Sequence, residues 1–192
     1  MARGSEKSST KSIRRANAAK PKLLQPSAKE RGITTVESLE QRRFLTVAAQ
    51  AVANAYVSDL PFTVVANGWG TAQADHNIVG GALTLGGVTY AKGLGVHATS
   101  DVRVNLGGNY SRFVASAGLD DETAGNGSVD FQVWADGVKL YDSGLVTGGQ
   151  AARSVSVDVT GRQQLQLVVT DGGDNYYWDH SDWAGAMLLA TP

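Results

Sequence analysis

From Tyr56 to the C-terminus the chain runs in short apolar and polar alternations, and no window holds a helical period for three turns. The clearest run, VDFQVWADGVKLYDSG (Val129 to Gly144), alternates at period two around Asp136-Gly137, the pair that most strongly signals a tight β-hairpin. A second hairpin reads in LTL-GG-VTY (Leu83 to Tyr90), where Gly86-Gly87 supplies the positive φ values such turns need. Short β-branched and aromatic runs between Gly, Asn and Asp clusters predict strands near 61–66, 82–85, 87–91, 101–106, 110–117, 128–135, 138–142, 153–159, 163–169 and 185–190. Strands of that length with regularly spaced turns predict an all-β sandwich.

Composition divides the chain in two. Residues 1–55 hold 11 of the 17 Lys and Arg and 4 of the 18 Asp and Glu, so the segment is +7 and residues 56–192 are −8. The net charge of −1 averages two opposite balances and indicates no partner. Residues 1–55 carry one aromatic, Phe44, whereas the remaining 137 carry 13, so the packed core belongs to a single domain over 56–192. Cysteine is absent, which leaves no redox marker.

The first segment reads as an export signal. A basic, Ser-rich stretch leads to a helix-capping pattern, Thr34 to Glu37, then Arg42-Arg43 and the run FLTVAAQAVANA from Phe44 to Ala55. A short run of small apolar residues behind a positive flank suits a signal peptide and is too short to span a bilayer. Ala49-Gln50-Ala51 and Ala53-Asn54-Ala55 are both small-x-small cleavage candidates. The other reading is a disordered basic arm; dispersed charges without aromatic partners argue against a nucleic-acid-binding arm.

Two resemblances follow from the residues. VESLEQRRFLTVAA (Val36 to Ala49) is similar to the LEPR-XLL segment of surface and secreted proteins of one Gram-negative bacterial phylum, with Gln41 where that pattern has proline. YVSDLP (Tyr56 to Pro61), NGWG (Asn67 to Gly70), GVTYAKGLGVHATS (Gly87 to Ser100), DDET (Asp120 to Thr123), LVVTDGGD (Leu167 to Asp174) and DHSDWAGA (Asp179 to Ala186) occur in the order that resembles NPCBM domains, including family 51 carbohydrate-binding modules. The resemblance spans about Tyr56 to Leu189. It implies a jelly-roll β-sandwich of the galactose-binding-like kind, a preference for galactose-containing glycans, and association with a glycoside hydrolase, here in trans.

Sugar recognition needs a flat aromatic face for the C–H side of the ring and fixed polar groups for its hydroxyls. Asn67 and Trp69, flanked by Gly68 and Gly70, offer both in one loop; the alternative for Trp69 is a cap on the core. Gly93-Leu94-Gly95 reads as a turn leading to His97, which with one carboxylate of the Asp120-Asp121-Glu122 triplet, Asp120 or Asp121 foremost, suits adjacent hydroxyls of one ring, and Lys92 adds a donor. A structural histidine and a solvated acidic turn are the competing readings. Asp171, Asp174, Asp179 and Asp182 offer hard oxygen ligands at loop spacing, a donor set for one structural calcium, set against plain Asx turns. Catalysis is not expected: His97, Ser100 and Asp101 alternate across an extended strand with no nucleophile elbow, and Asp120 with Glu122 lacks a deep cleft for glycoside hydrolysis. The sequence therefore predicts a non-catalytic glycan-binding module, secreted or at the cell surface, with an adhesive domain working through protein contacts as the alternative.

Overall fold

The Asp136-Gly137 and Gly86-Gly87 turns form as the pattern dictates, with all four residues at φ between 50° and 80°. In the computed structural model, which describes residues 52–192, they close two hairpins: β9 (Ser128–Ala135) with β10 (Val138–Thr147), and β4 (Leu83–Leu85) with β5 (Val88–Tyr90). The expected capping pattern, the Val36–Ala49 segment and most of the apolar run lie outside the described residues. No helix among the described residues is long and apolar enough to cross a membrane.

The fold is nearly all β, two antiparallel sheets facing each other. One sheet runs β11 (Arg153–Asp158), β8 (Tyr110–Leu119), β13 (His180–Ala190), β6 (Gly93–His97), β3 (Gln73–Ala74), with β1 (Ala55–Tyr56) added against β13. The other runs β10, β9, β12 (Gln164–Thr170), β7 (Ser100–Asn105), β2 (Phe62–Ala66). Inward positions alternate as in β9, where Val129, Phe131, Val133 and Ala135 are buried and the residues between them are half-buried. Trp183 sits at the centre, fully buried, edge-on to Phe131 at 5.1 Å and to Phe113 at 6.2 Å. Such edge-to-face pairs add about 0.5–1.5 kcal/mol each beyond the area they bury.

Two corrections to the sequence reading bear on the site. Gly93-Leu94-Gly95 is not a turn; it is the start of β6, a central strand whose five residues are all buried. Its glycines serve close approach: a Cβ on Gly93 would lie 2.5 Å from the Trp183 carbonyl oxygen, and one on Gly95 2.4 Å from that of His76. Strand β13 starts at His180 rather than 185, because Ser181 and Asp182, polar in sequence, are buried in the sheet. The sandwich also reaches before Tyr56: Ala55 pairs with Leu188, and the Asn54 side-chain carbonyl accepts from Ala190 N at 2.8 Å, so the cleavage candidate Ala53-Asn54-Ala55 runs into β1.

Candidate carbohydrate-binding site

The C-terminal end of β6 and the start of β13 meet at one rim of the sandwich, where His97 and His180 are cross-strand partners. Side chains opposite each other on antiparallel strands share a face, and the two imidazoles stand 5.1 Å apart between centroids. The Asn67–Gly70 loop is fastened beside them. Asn67 Oδ1 accepts from His97 N at 2.9 Å, Asn67 Nδ2 donates to the Trp69 carbonyl at 2.6 Å, and Gly68 N donates to the His97 carbonyl at 3.1 Å. Gly68 is required there, since a Cβ would fall 2.0 Å from the Ala98 carbonyl oxygen.

This seating leaves Trp69 52% exposed, its indole parallel to His180 within 3° at 5.5 Å and 5.9 Å from His97. Tyr176, Tyr177 and Trp178, from the loop between β12 and β13, complete a pocket of about 480 Å³ with Trp69, His97 and His180. Trp178 holds φ +66°, a left-handed value that costs a bulky residue roughly 1–2 kcal/mol. Its carbonyl fits only because position 127 is glycine, where a Cβ would stand 2.3 Å away.

The two imidazoles are electrically prepared. His97 is 3% exposed, and burial lowers its pKa, so the ring is neutral. Its Nδ1 lies 2.7 Å from the Ala98 carbonyl, which only accepts; the proton therefore belongs on Nδ1 and Nε2 is left as an acceptor. His180 Nδ1 is paired with the Glu122 carboxylate. A neutral imidazole acceptor, a carboxylate-oriented imidazole and an exposed indole are suited to binding a polyhydroxylated ring.

The other expected site residues divide. Lys92 sits at the opposite end of β6, roughly 16 Å along the strand from His97. Its ammonium is clamped by Asp59 at 2.5 Å and Asp75 at 2.9 Å, which raise its pKa to about 12. Asp120 is buried, accepting from Thr84 N, Glu122 N and Asn77 Nδ2, and Asp121 grips the β4–β5 turn through Gly86 N and Gly87 N at 2.8 and 2.7 Å. Both carboxylates organise backbone, because two acids opening a single 3-10 turn (Asp121–Thr123) find unpaired N–H groups before they find solvent. Of that acidic triplet only Glu122 reaches the pocket, through His180.

Nor do the four aspartates expected around calcium converge. Asp171 Oδ1 accepts from Gly173 N in an Asx turn, and Asp174 accepts from Ser128 Oγ and Asn175 N. Asp179 is buried, with Oδ1 accepting from Ser128 N. Asp182 turns the other way, into the sheet beside Asp120; burial and that neighbouring carboxyl hold it well above the usual carboxylate range. Among the described residues no three His, Cys, Asp or Glu side chains group to hold a metal ion. Residues 97, 100 and 101 assemble no triad either, since Ser100 is buried and Asp101 is engaged by Arg103 and Gln166.

Asp179, directly beneath the aromatic loop, has a consequence for pH. Burial pushes its carboxyl up to about 6, with Asp174 and Asp171 adding to the rise. A folded-state pKa above the unfolded value means that the native state binds the proton more tightly, so this stabilisation is complete below pH 4 and is lost as pH rises through about 6. Melting temperatures of the protein and of Asp179→Asn, compared from pH 4 to pH 7, are expected to diverge in that sense, with the wild type losing ground to the variant. Parallel profiles would overturn this assignment.

Sequence reasoning missed His180 and the three aromatics at 176–178 as site residues, and favoured Asp120 and Asp121 over Glu122 within the acidic triplet. The available signal was three consecutive aromatic residues inside a Gly- and Asp-rich loop, where no strand calls for them.

Comparison with known proteins yields the same picture. The NPCBM/NEW2 domain family matches residues 53–189. A solved structure described as a CBM51 from Clostridium perfringens GH95 in complex with methyl-galactose is 37% identical, with a TM-score of 0.68, and the match covers 71% of this chain and all of that one. A second, CBM51-2 in complex with GlcNAc and INT domains from Clostridium perfringens ZmpB, is 28% identical with a TM-score of 0.67, covering 72% of this chain and 32% of that one. The alpha-1,3-galactosidase B of Akkermansia muciniphila is 36% identical over 126 residues, 64% of this chain. The chain spans 16% of that relative's length and 11% of a Renibacterium salmoninarum relative that is also 36% identical.

Proposed function

Because the chain belongs to the NPCBM/NEW2 domain family through residues 53–189, we propose that it is a non-catalytic carbohydrate-binding module that holds the terminal sugar of a galactose-containing glycan. The observation that carries this reading is the exposed Trp69 indole set beside the His97–His180 pair at one rim. The indole takes the apolar face of a pyranose, while the imidazole nitrogens, His180 being oriented by Glu122, satisfy hydroxyls that would otherwise be buried unpaired. Galactose is favoured by the methyl-galactose complex of the 37% identical module.

The pocket supports binding without bond cleavage. Glycoside hydrolysis requires two carboxyl groups facing each other across the scissile bond, and the pocket lining contains none. Residues 1–55 support an exported or surface location, and relatives in which the matching region is a small part of a longer chain support a glycoside hydrolase partner.

A glycan array probed with the full chain tests the proposal. Retention on galactose-terminated glycans is expected, and it should be competed by free methyl galactoside. Absence of binding to every glycan would overturn it in favour of an adhesive domain acting through protein contacts.

A further inference from the structure

Four aromatic side chains are exposed among the described residues, Trp69, Tyr176, Tyr177 and Trp178, and all four line the same pocket. One platform suffices for one pyranose, and Trp69 against His180 already provides it. The other three extend that platform: Tyr176 and Tyr177 stack at 4.9 Å, Tyr176 abuts His97 at 6.4 Å, and Trp178 abuts His180 at 6.2 Å. Tyr177, 65% exposed, is the most exposed of the four, and its nearest stacked neighbour is another exposed ring rather than the core.

We propose that Tyr176, Tyr177 and Trp178 form a second subsite for the sugar linked to the terminal one, so that the module reads a disaccharide or longer glycan. The inference rests on the carbohydrate-binding reading above. Three features support it. The lip is continuous with the Trp69–His97–His180 site through the Tyr176–His97 and Trp178–His180 ring contacts at 6.4 and 6.2 Å, within the range over which aromatic side chains build a single surface. Its composition, two phenols and an indole, combines apolar faces with hydroxyl and N–H donors, which matches a ring bearing both C–H and O–H groups. The left-handed backbone at Trp178 also keeps this indole exposed at a position where a glycine would fit without strain.

The test is titration calorimetry of the full chain with methyl galactoside and with galactose linked to N-acetylglucosamine or to a second galactose. At least one disaccharide is expected to bind about three- to tenfold more tightly than methyl galactoside, the range that one aromatic stack provides. Tyr177→Ala should remove that advantage, lowering disaccharide affinity by more than methyl galactoside affinity, and leave the melting temperature unchanged. Trp178→Gly, which relieves the backbone while removing the indole, is a second variant expected to lower disaccharide affinity by more than methyl galactoside affinity, with a melting temperature unchanged or raised. Equal affinity for methyl galactoside and every disaccharide, or parallel loss of both ligands in Tyr177→Ala, would overturn the second subsite while leaving the first intact. If the wild-type protein binds none of these sugars, the galactose reading fails and the subsite fails with it.

Discussion

Trp69→Ala is expected to reduce glycan affinity by at least about tenfold while leaving thermal stability nearly unchanged. The indole is half exposed and its neighbours are the two imidazoles of the pocket, so its removal opens no cavity in the core. The loop itself survives the substitution, because it is held by Asn67 and by the Gly68 backbone and not by the indole. Surface truncations of this kind change stability by about 0.5 kcal/mol or less. Calorimetry with methyl galactoside and a melting curve on the same sample check both halves. A large fall in melting temperature would make Trp69 a core residue, and retained affinity would place the sugar elsewhere.

Trp183→Ala is expected to do the reverse, destabilising the protein by about 3–5 kcal/mol. Trp183 is fully buried where the sheets meet, between Phe113 and Phe131, and its loss leaves a void that Val and Leu neighbours on fixed strands cannot fill. For a domain of this size the loss corresponds to a fall of roughly 10–15 °C in melting temperature. A change of only a few degrees would show that the sandwich closes around the gap. The pair of variants separates two tryptophans that the sequence sets in similar surroundings, each two residues after a polar Asn or Ser and beside a small residue.

Most of the strands were legible because their two faces differ: β9 and β12 alternate buried and half-exposed side chains, and period two survives in the sequence. Strand β6 was not, because all its residues are buried and two are glycines chosen by the approach of Trp183 and His76, so neither alternation nor β-branching marks it. The aspartates were misread for a related reason. A carboxylate looks the same in sequence whether it meets a ligand or a backbone N–H, and Asp120 and Asp121 meet backbone contributed by residues more than thirty positions away.

Taken alone, the chain determined its class and its local features: an all-β module, two hairpins at Asp136-Gly137 and Gly86-Gly87, and a glycine-flanked loop carrying Trp69. Those features are local, fixed by turn conformations and by alternation within a few residues. Only the tertiary structure decided which residues share the pocket. His97 and His180 lie 83 positions apart, and it is the register of β6 against β13 that makes them neighbours and brings the aromatic loop at 176–178 over the same rim. Register between strands distant in sequence is set by packing of the whole sandwich, and no short stretch of the chain encodes it.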